Sequence, residues 1–197
     1  MGKIKSALEI ALERTESVIS DKNSIGQYEA KQKGKRLANE FLGETVKSLE
    51  EELKKASGDE LLSLKQGIFD ILISQITLPA TKDELNRVET AGHGLHTIIG
   101  SKHFGEMIKQ MVQILKQYLD EAAQYEDAIK KQYAPKLRQK EEEISRRLGR
   151  HVKLDPFQDP EFLNFFNQHM NALKSNYEGA VNELKDEARK LFETIKA

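Results

Sequence analysis

Cysteine is absent from the chain. That excludes disulfides, thiolate metal ligands and a cysteine nucleophile, and it fits a reducing compartment. Proline occurs four times, and no stretch rich in glycine, proline and serine stands out as a linker. Long apolar runs are missing too. The most apolar segment, IFDILISQITL at 68–78, is too short to span a bilayer and carries Asp70. At the N-terminus, MGKIKSALEIALERTE puts Glu9 and Glu13 where a signal peptide needs unbroken apolar residues. Neither sign of charge dominates, with 31 basic against 32 acidic side chains. Any affinity for nucleic acid or a membrane must therefore be local. These absences lead to the expectation of a soluble, cytoplasmic protein without a membrane partner.

Hydrophobic residues make up 38% and charged residues 32%. A thin apolar complement with many charges suits either disorder or slender helices. The apolar residues decide, because they recur at helical spacing over long stretches. Ile4, Leu8, Ala11, Thr15 and Val18 predict a helix over 2–22. SDKNS at 20–24 reads as a weak break before a second helix over 25–56, with Leu37, Phe41, Leu49 and Leu53 on one side. The two could also be one long helix. Ser57 with Glu60, and Thr81 with Glu84, have capping-box spacing. They open helices over 59–78, the most apolar, and 82–99. Pro79 ends the first of these, and Gly100 suits a left-handed cap after the second.

From 102 to 149 the pattern predicts one very long helix. Leu115, Tyr118, Ala122, Tyr125 and Ile129 form its stripe, which Tyr133, Leu137, Ile144 and Leu148 continue. Pro135 lies inside it, where a kink is expected. Asp159 followed by Pro160 is a strong helix start. The final helix carries an apolar stripe at Leu163, Phe166, Met170, Leu173, Tyr177, Val181, Leu184, Ala188, Leu191 and Ile195. Two long helices on a short link become antiparallel neighbours, and neither is stable alone. The expected fold is thus all-α and elongated: a compact helical body at 1–105, and a long antiparallel coiled-coil hairpin at 106–197 with its tip at 149–160. The return helix should then reach back to near Val112.

That tip, RRLGRHVKLDPFQDPEF at 146–162, is the most distinctive stretch. Between 130 and 153 the balance of charge is +6 in a chain whose total is −1. Part of this has a structural cause, since arginines favour a helix C-terminus and Asp159 and Glu161 favour the next N-terminus. Val152 and Leu154 alternate with charges, as in a short extended segment folded back on the hairpin, and Phe157 is placed to plug its end. Arg146, Arg147, Arg150, Lys153 and Phe157 are the candidate partner-binding residues. A second basic cluster, KQKGKR at 31–36, lies on an earlier helix.

Other chemistry is thin. Glu89, His93 and His96 share a helix face, a set that could bind a transition metal. A bundle metal site, however, needs Glu-x-x-His motifs on several helices, and none occurs here. No metal and no cofactor is therefore expected. Gly94 and Gly100 before Ser101 and Lys102 mimic a phosphate loop with the wrong spacing. Glycines at 92 and 94 better suit close helix packing. MGKIKS matches a short myristoylation pattern at Gly2. No serine has a nucleophile context, and no catalytic carboxylate pair stands out. The residues point to a non-catalytic scaffold with a protein partner, with self-association possible. The alternative is a nucleic-acid-binding protein using the basic tip, together with Lys31, Lys33, Lys35 and Arg36.

Overall fold

The computed structural model describes residues 7–196, with side chains from 24 to 195. The myristoylation pattern and the apolar stripe from Ile4 to Val18 lie outside the described side chains. The described residues form helices α1 (Ala7–Leu42), α2 (Leu49–Leu53), α3 (Gly58–Gln75), α4 (Lys82–Ile99), α5 (Lys102–Leu148) and α6 (Pro160–Lys196). A single 3-10 turn, Pro156–Gln158, precedes α6. No strand occurs among the described residues, and the protein is all-α. It divides into two compact units. The first comprises Met1–Ile76, Thr90–Gly105 and Ala188–Ala197, the second Thr77–Glu89 and Glu106–Glu187.

In the first unit α1 crosses α3 at backbone contact. Gly34 and Gly67 face one another, and a Cβ on either would overlap a carbonyl of the opposite helix, that of Leu64 or Lys31 respectively. Side chains at these two positions would push the helices apart. Around the crossing Leu37, Ala38, Leu64, Ile68 and Leu72 are buried. No residue between 61 and 73 is fully exposed, as expected of the most apolar helix. Gly94 admits Leu72, Phe41 and Leu49 to van der Waals distance, which is the close packing its sequence position predicted. Phe69 stacks on Phe192 with ring centroids 4.2 Å apart.

Two expectations fail here. Of the two readings left open for the first helices the continuous one holds, with α1 unbroken through 20–24, but the helix expected to run to 56 stops at 43–48. Ser, Asp and Asn favour turns without forbidding a helix. The stop is a Schellman motif: Thr45 N–H donates to Glu40 O at 2.9 Å and Glu44 N–H to Phe41 O at 3.1 Å. Its left-handed residue is Glu44, at φ 59, where glycine is the usual signal. At the start of α3, Ser57 makes no side-chain cap bond. Thr81 does cap α4, its Oγ1 accepting from Glu84 N–H at 3.2 Å, while Glu84 accepts from Ala80 N–H at 2.7 Å. Gly100 ends α4 in the left-handed conformation, as predicted.

The second unit is built on α5 and α6, which run antiparallel. Tyr118 meets Tyr177, Tyr125 meets His169 and Tyr133 meets Phe162. Each step of seven or eight residues down α5 is matched by a like step up α6. This register differs from the expected one. The start of α6 lies opposite residues 133–140 of α5, not opposite its end, because residues 149–159 fold back along the last turns of α5. Those turns have no α6 beside them, so Leu148, predicted in the apolar stripe, is 56% exposed. α5 continues unbroken through Pro135.

The α6 stripe also shifts at its ends. Phe162 and Phe192 are fully buried, whereas Leu163 and Leu191 are only partly so. Each phenylalanine meets a ring, Phe162 that of Tyr133 and Phe192 that of Phe69.

Candidate functional site: the closed end of the hairpin

Two charge systems lie along the end of α5. The first faces inward. Asp159 is buried, and its carboxylate accepts from Tyr133 Oη at 3.0 Å and from Lys140 Nζ at 2.9 and 2.8 Å. It also accepts from the Glu161 N–H at 3.1 Å, which is the N-cap bond its position before Pro160 predicts. Glu161 accepts from Lys140 at 2.7 Å and Lys136 at 2.9 Å. A buried carboxylate is tolerated when paired and hydrogen-bonded in this way. The hydrogen bond from Lys140 holds Asp159 below the usual carboxylate range. Hydrogen bonds from Lys140 and Lys136 bring Glu161 down to about 2. Lys140 is raised by its bonds to Asp159 and Glu161. Burial, then the bond to Asp159, raises Tyr133.

An aromatic cluster fills the space beneath these groups. Phe162 lies 5.2 Å from Tyr133, 5.2 Å from Phe157 and 5.7 Å from Phe166, centroid to centroid. Ile129 and Met170 complete its buried part. Phe157 packs one face on Phe162 and Phe166, remains 39% exposed, and carries Lys130 Nζ 5.2 Å above its ring. It thus closes the aromatic cluster near the start of α6.

The second charge system faces outward. Gly149 leaves α5 at φ 64, a left-handed conformation that lets the chain reverse. The extended residues that follow are anchored to α5 by Val152 N–H on Ser145 Oγ at 2.9 Å and Leu154 N–H on Glu141 Oε1 at 2.8 Å. Asp155 then caps the 3-10 turn by accepting from Phe157 N–H at 3.0 Å. Arg146 and Arg147 are 80% and 79% exposed, with Glu142 and Glu143 at 3.5 and 3.7 Å. Pairs so exposed contribute little. Arg150 and Lys153 are exposed as well. A surface groove of about 680 Å³ runs here, lined by Arg138, Arg146, Arg150 and His151 together with Glu141 and Glu142.

The structure brings Arg146, Arg147, Arg150 and Lys153 to one end of the unit and sets the two α5 arginines apart from Phe157. Twelve residues of α5 lie between Tyr133, beside the aromatic cluster, and Arg146, a rise of roughly 20 Å. Lys136 and Lys140, counted in the basic run, are spent on Asp159 and Glu161. Sequence reading missed this pairing and missed Phe162. The i, i+3, i+7 spacing of Tyr133, Lys136 and Lys140 puts them on one helix face but does not by itself mark them as paired. In the first unit Lys31 pairs with Asp70 at 2.9 Å, while Lys33 and Arg36 line a separate open depression with Asp59 and Glu60. Of the metal candidates, His93 is exposed and His96 half-buried against Gly105. No group of three histidine, aspartate or glutamate side chains among the described residues is placed to hold a metal. No helix among them is long and apolar enough to cross a membrane.

Fold and geometry together define an all-α protein with a closed helical hairpin whose end is internally ion-paired and externally basic. The chain belongs to a family of unknown function (DUF6657), whose model matches residues 50–190. No curated protein and no solved structure matches it.

Proposed function

We propose that the chain is a non-catalytic, cytoplasmic interaction protein that offers the basic end of the α5–α6 hairpin to a protein partner. One observation carries this reading. Lys136 and Lys140 are ion-paired to the start of α6, while Arg146 and Arg147 on the last turn of α5, and Arg150 and Lys153 on the segment that side-chain hydrogen bonds anchor to it, are exposed. Exposed cations on an ordered backbone suit recognition of an acidic surface, because little loop freedom remains to be lost on binding. A protein partner is favoured over nucleic acid because Glu141, Glu142 and Glu143 lie among the arginines and weaken the field a polyanion would meet.

The test is affinity capture from a lysate of the source cells, with wild type compared to a variant carrying Arg146→Glu, Arg147→Glu and Arg150→Glu. The expected outcome is a protein partner held by wild type and lost by the variant. Identical capture by both would refute the reading. Captured nucleic acid whose binding falls steeply with salt would favour the alternative. Self-association is a further expectation, supported by exposed Ile25 and Tyr28 on α1. Sedimentation of wild type against a variant with Ile25→Ser and Tyr28→Ser measures it.

A further inference from the structure

The closed end carries an unpaired backbone edge. Residues 151–155 belong to no helix or strand, Asp155 has extended backbone, and exposure alternates along them: His151, Lys153 and Asp155 exposed, Val152 and Leu154 half-buried. In an extended chain, successive residues direct their N–H and C=O groups to opposite edges. The inner edge is occupied, through Val152 and Leu154, by Ser145 and Glu141 of α5. Both partners are side chains of a helix. Among the described residues no hydrogen bond reaches the backbone of His151 or Lys153 on the outer edge.

An open backbone edge can pair with a second extended segment. Charge narrows what the strand would be. Glu141 is committed to Leu154, and Glu142 and Glu143 lie beside Arg146 and Arg147. That leaves Arg150 and Lys153 flanking the edge, and Arg138 in the adjoining groove, without an ion pair among the described residues, although Glu141 and Glu142 line the same groove and Asp155 is exposed beside the edge. Resting on the reading of this end as a partner-binding surface, the geometry points to strand addition by an extended acidic peptide segment of a protein partner. Its backbone pairs with His151 and Lys153, and its carboxylates meet Arg150 and Lys153.

The probe is a fluorescent octapeptide of alternating glutamate and valine, titrated with the full chain. An alternating lysine and valine peptide, the acidic peptide N-methylated throughout, and a short oligothymidylate are the comparisons. Only the unmodified acidic peptide is expected to bind. Lys153→Pro deletes an N–H that the fold does not use, and it should weaken binding about tenfold or more, whereas Lys153→Ala keeps that N–H and should cost about threefold or less. Unchanged helical circular dichroism verifies that the proline variant is folded. If the N-methylated peptide binds equally, or proline and alanine weaken binding alike, strand addition is overturned in favour of charge docking. Binding of oligothymidylate alone overturns it in favour of nucleic acid. If no probe binds, strand addition is overturned. Loss of the captured partner in the triple arginine variant would then still uphold the end as a partner surface bound in another way.

Discussion

The inward and outward halves of the hairpin end use similar residues to opposite purposes. At the start of α6, Lys136 and Lys140 meet two carboxylates and a tyrosine hydroxyl above a buried phenylalanine. A few turns further along the same helix, Arg146 and Arg147 meet glutamates at longer distance in open solvent. What separates them is the backbone around them. α6 begins opposite residues 133–140, so lysines there meet the carboxylates at its start, the buried Asp159 and the exposed Glu161, although Lys136 itself stays 55% exposed. Beyond it only a thin extended segment covers α5, and cations stay hydrated. Identical charges therefore hold the hairpin closed in one place and remain available in the other.

That contrast is broken most severely from the inside. Phe162→Ala removes the ring shared by Tyr133, Phe157 and Phe166 and should destabilise the protein by about 3–5 kcal/mol, read from chemical denaturation. A loss under about 1 kcal/mol would show that the aromatic cluster does not hold the hairpin end. Asp159→Ala comes next. It deletes the cap of α6 and leaves the Tyr133 hydroxyl only its longer contact with Glu161 at 3.4 Å, with a cost of about 2–3 kcal/mol in the same experiment. If Asp159→Ala and Tyr133→Phe act on one network, their combined effect should fall short of the sum of the two single effects.

Acid sharpens the comparison. Glu161 and Asp159 are both depressed by Lys140. A depressed carboxylate contributes stability that is fully present above its unfolded value and is lost as pH falls through the folded one. For Glu161 the window runs from the ordinary 4.5 down to about 2. Melting temperature should fall across that window, and Glu161→Gln should flatten the decline. A variant with the same slope as wild type would show that Glu161 does not carry the acid sensitivity. Lys140 has the opposite sign: it is raised, so its contribution persists through neutral pH and is lost only in strong alkali.

The parts of this arrangement that were legible in the sequence are those encoded locally. Asp159 with Pro160, Thr81 before α4 and Gly100 after it all mark boundaries through residues within a turn of the boundary itself. The alternation of Val152 and Leu154 foretold an extended return. The illegible parts depend on distant partners. Lys140 finds Asp159 across nineteen residues, and no local pattern separates it from Lys131, which stays exposed. The hairpin register was misread because the length of the folded-back segment, rather than the end of α5, decides where α6 starts. The end of α1 was missed because Glu44 took a conformation usually reserved for glycine. Gly34 and Gly67 looked incidental until the two helices were laid together.

The smallest effect belongs to the tip, and its smallness is the point. Arg146→Ala with Arg147→Ala removes two side chains whose ion pairs lie at 3.5 and 3.7 Å with about four-fifths of each arginine in water. Exposed pairs one helical turn apart contribute about 0.3–0.5 kcal/mol each and often less. Both arginines also sit in the last turn of α5, where positive charge favours the helix dipole by a few tenths of a kcal/mol in high dielectric. Denaturation midpoints should therefore move by less than about 1 kcal/mol in free energy. That is a small fraction of the Phe162→Ala effect, and salt should erase most of it. A loss comparable to Asp159→Ala would mean that these arginines hold the hairpin end together, and the division between an inward structural half and an outward binding half would collapse. A negligible loss, joined to loss of the partner, would separate folding from recognition within a single helix.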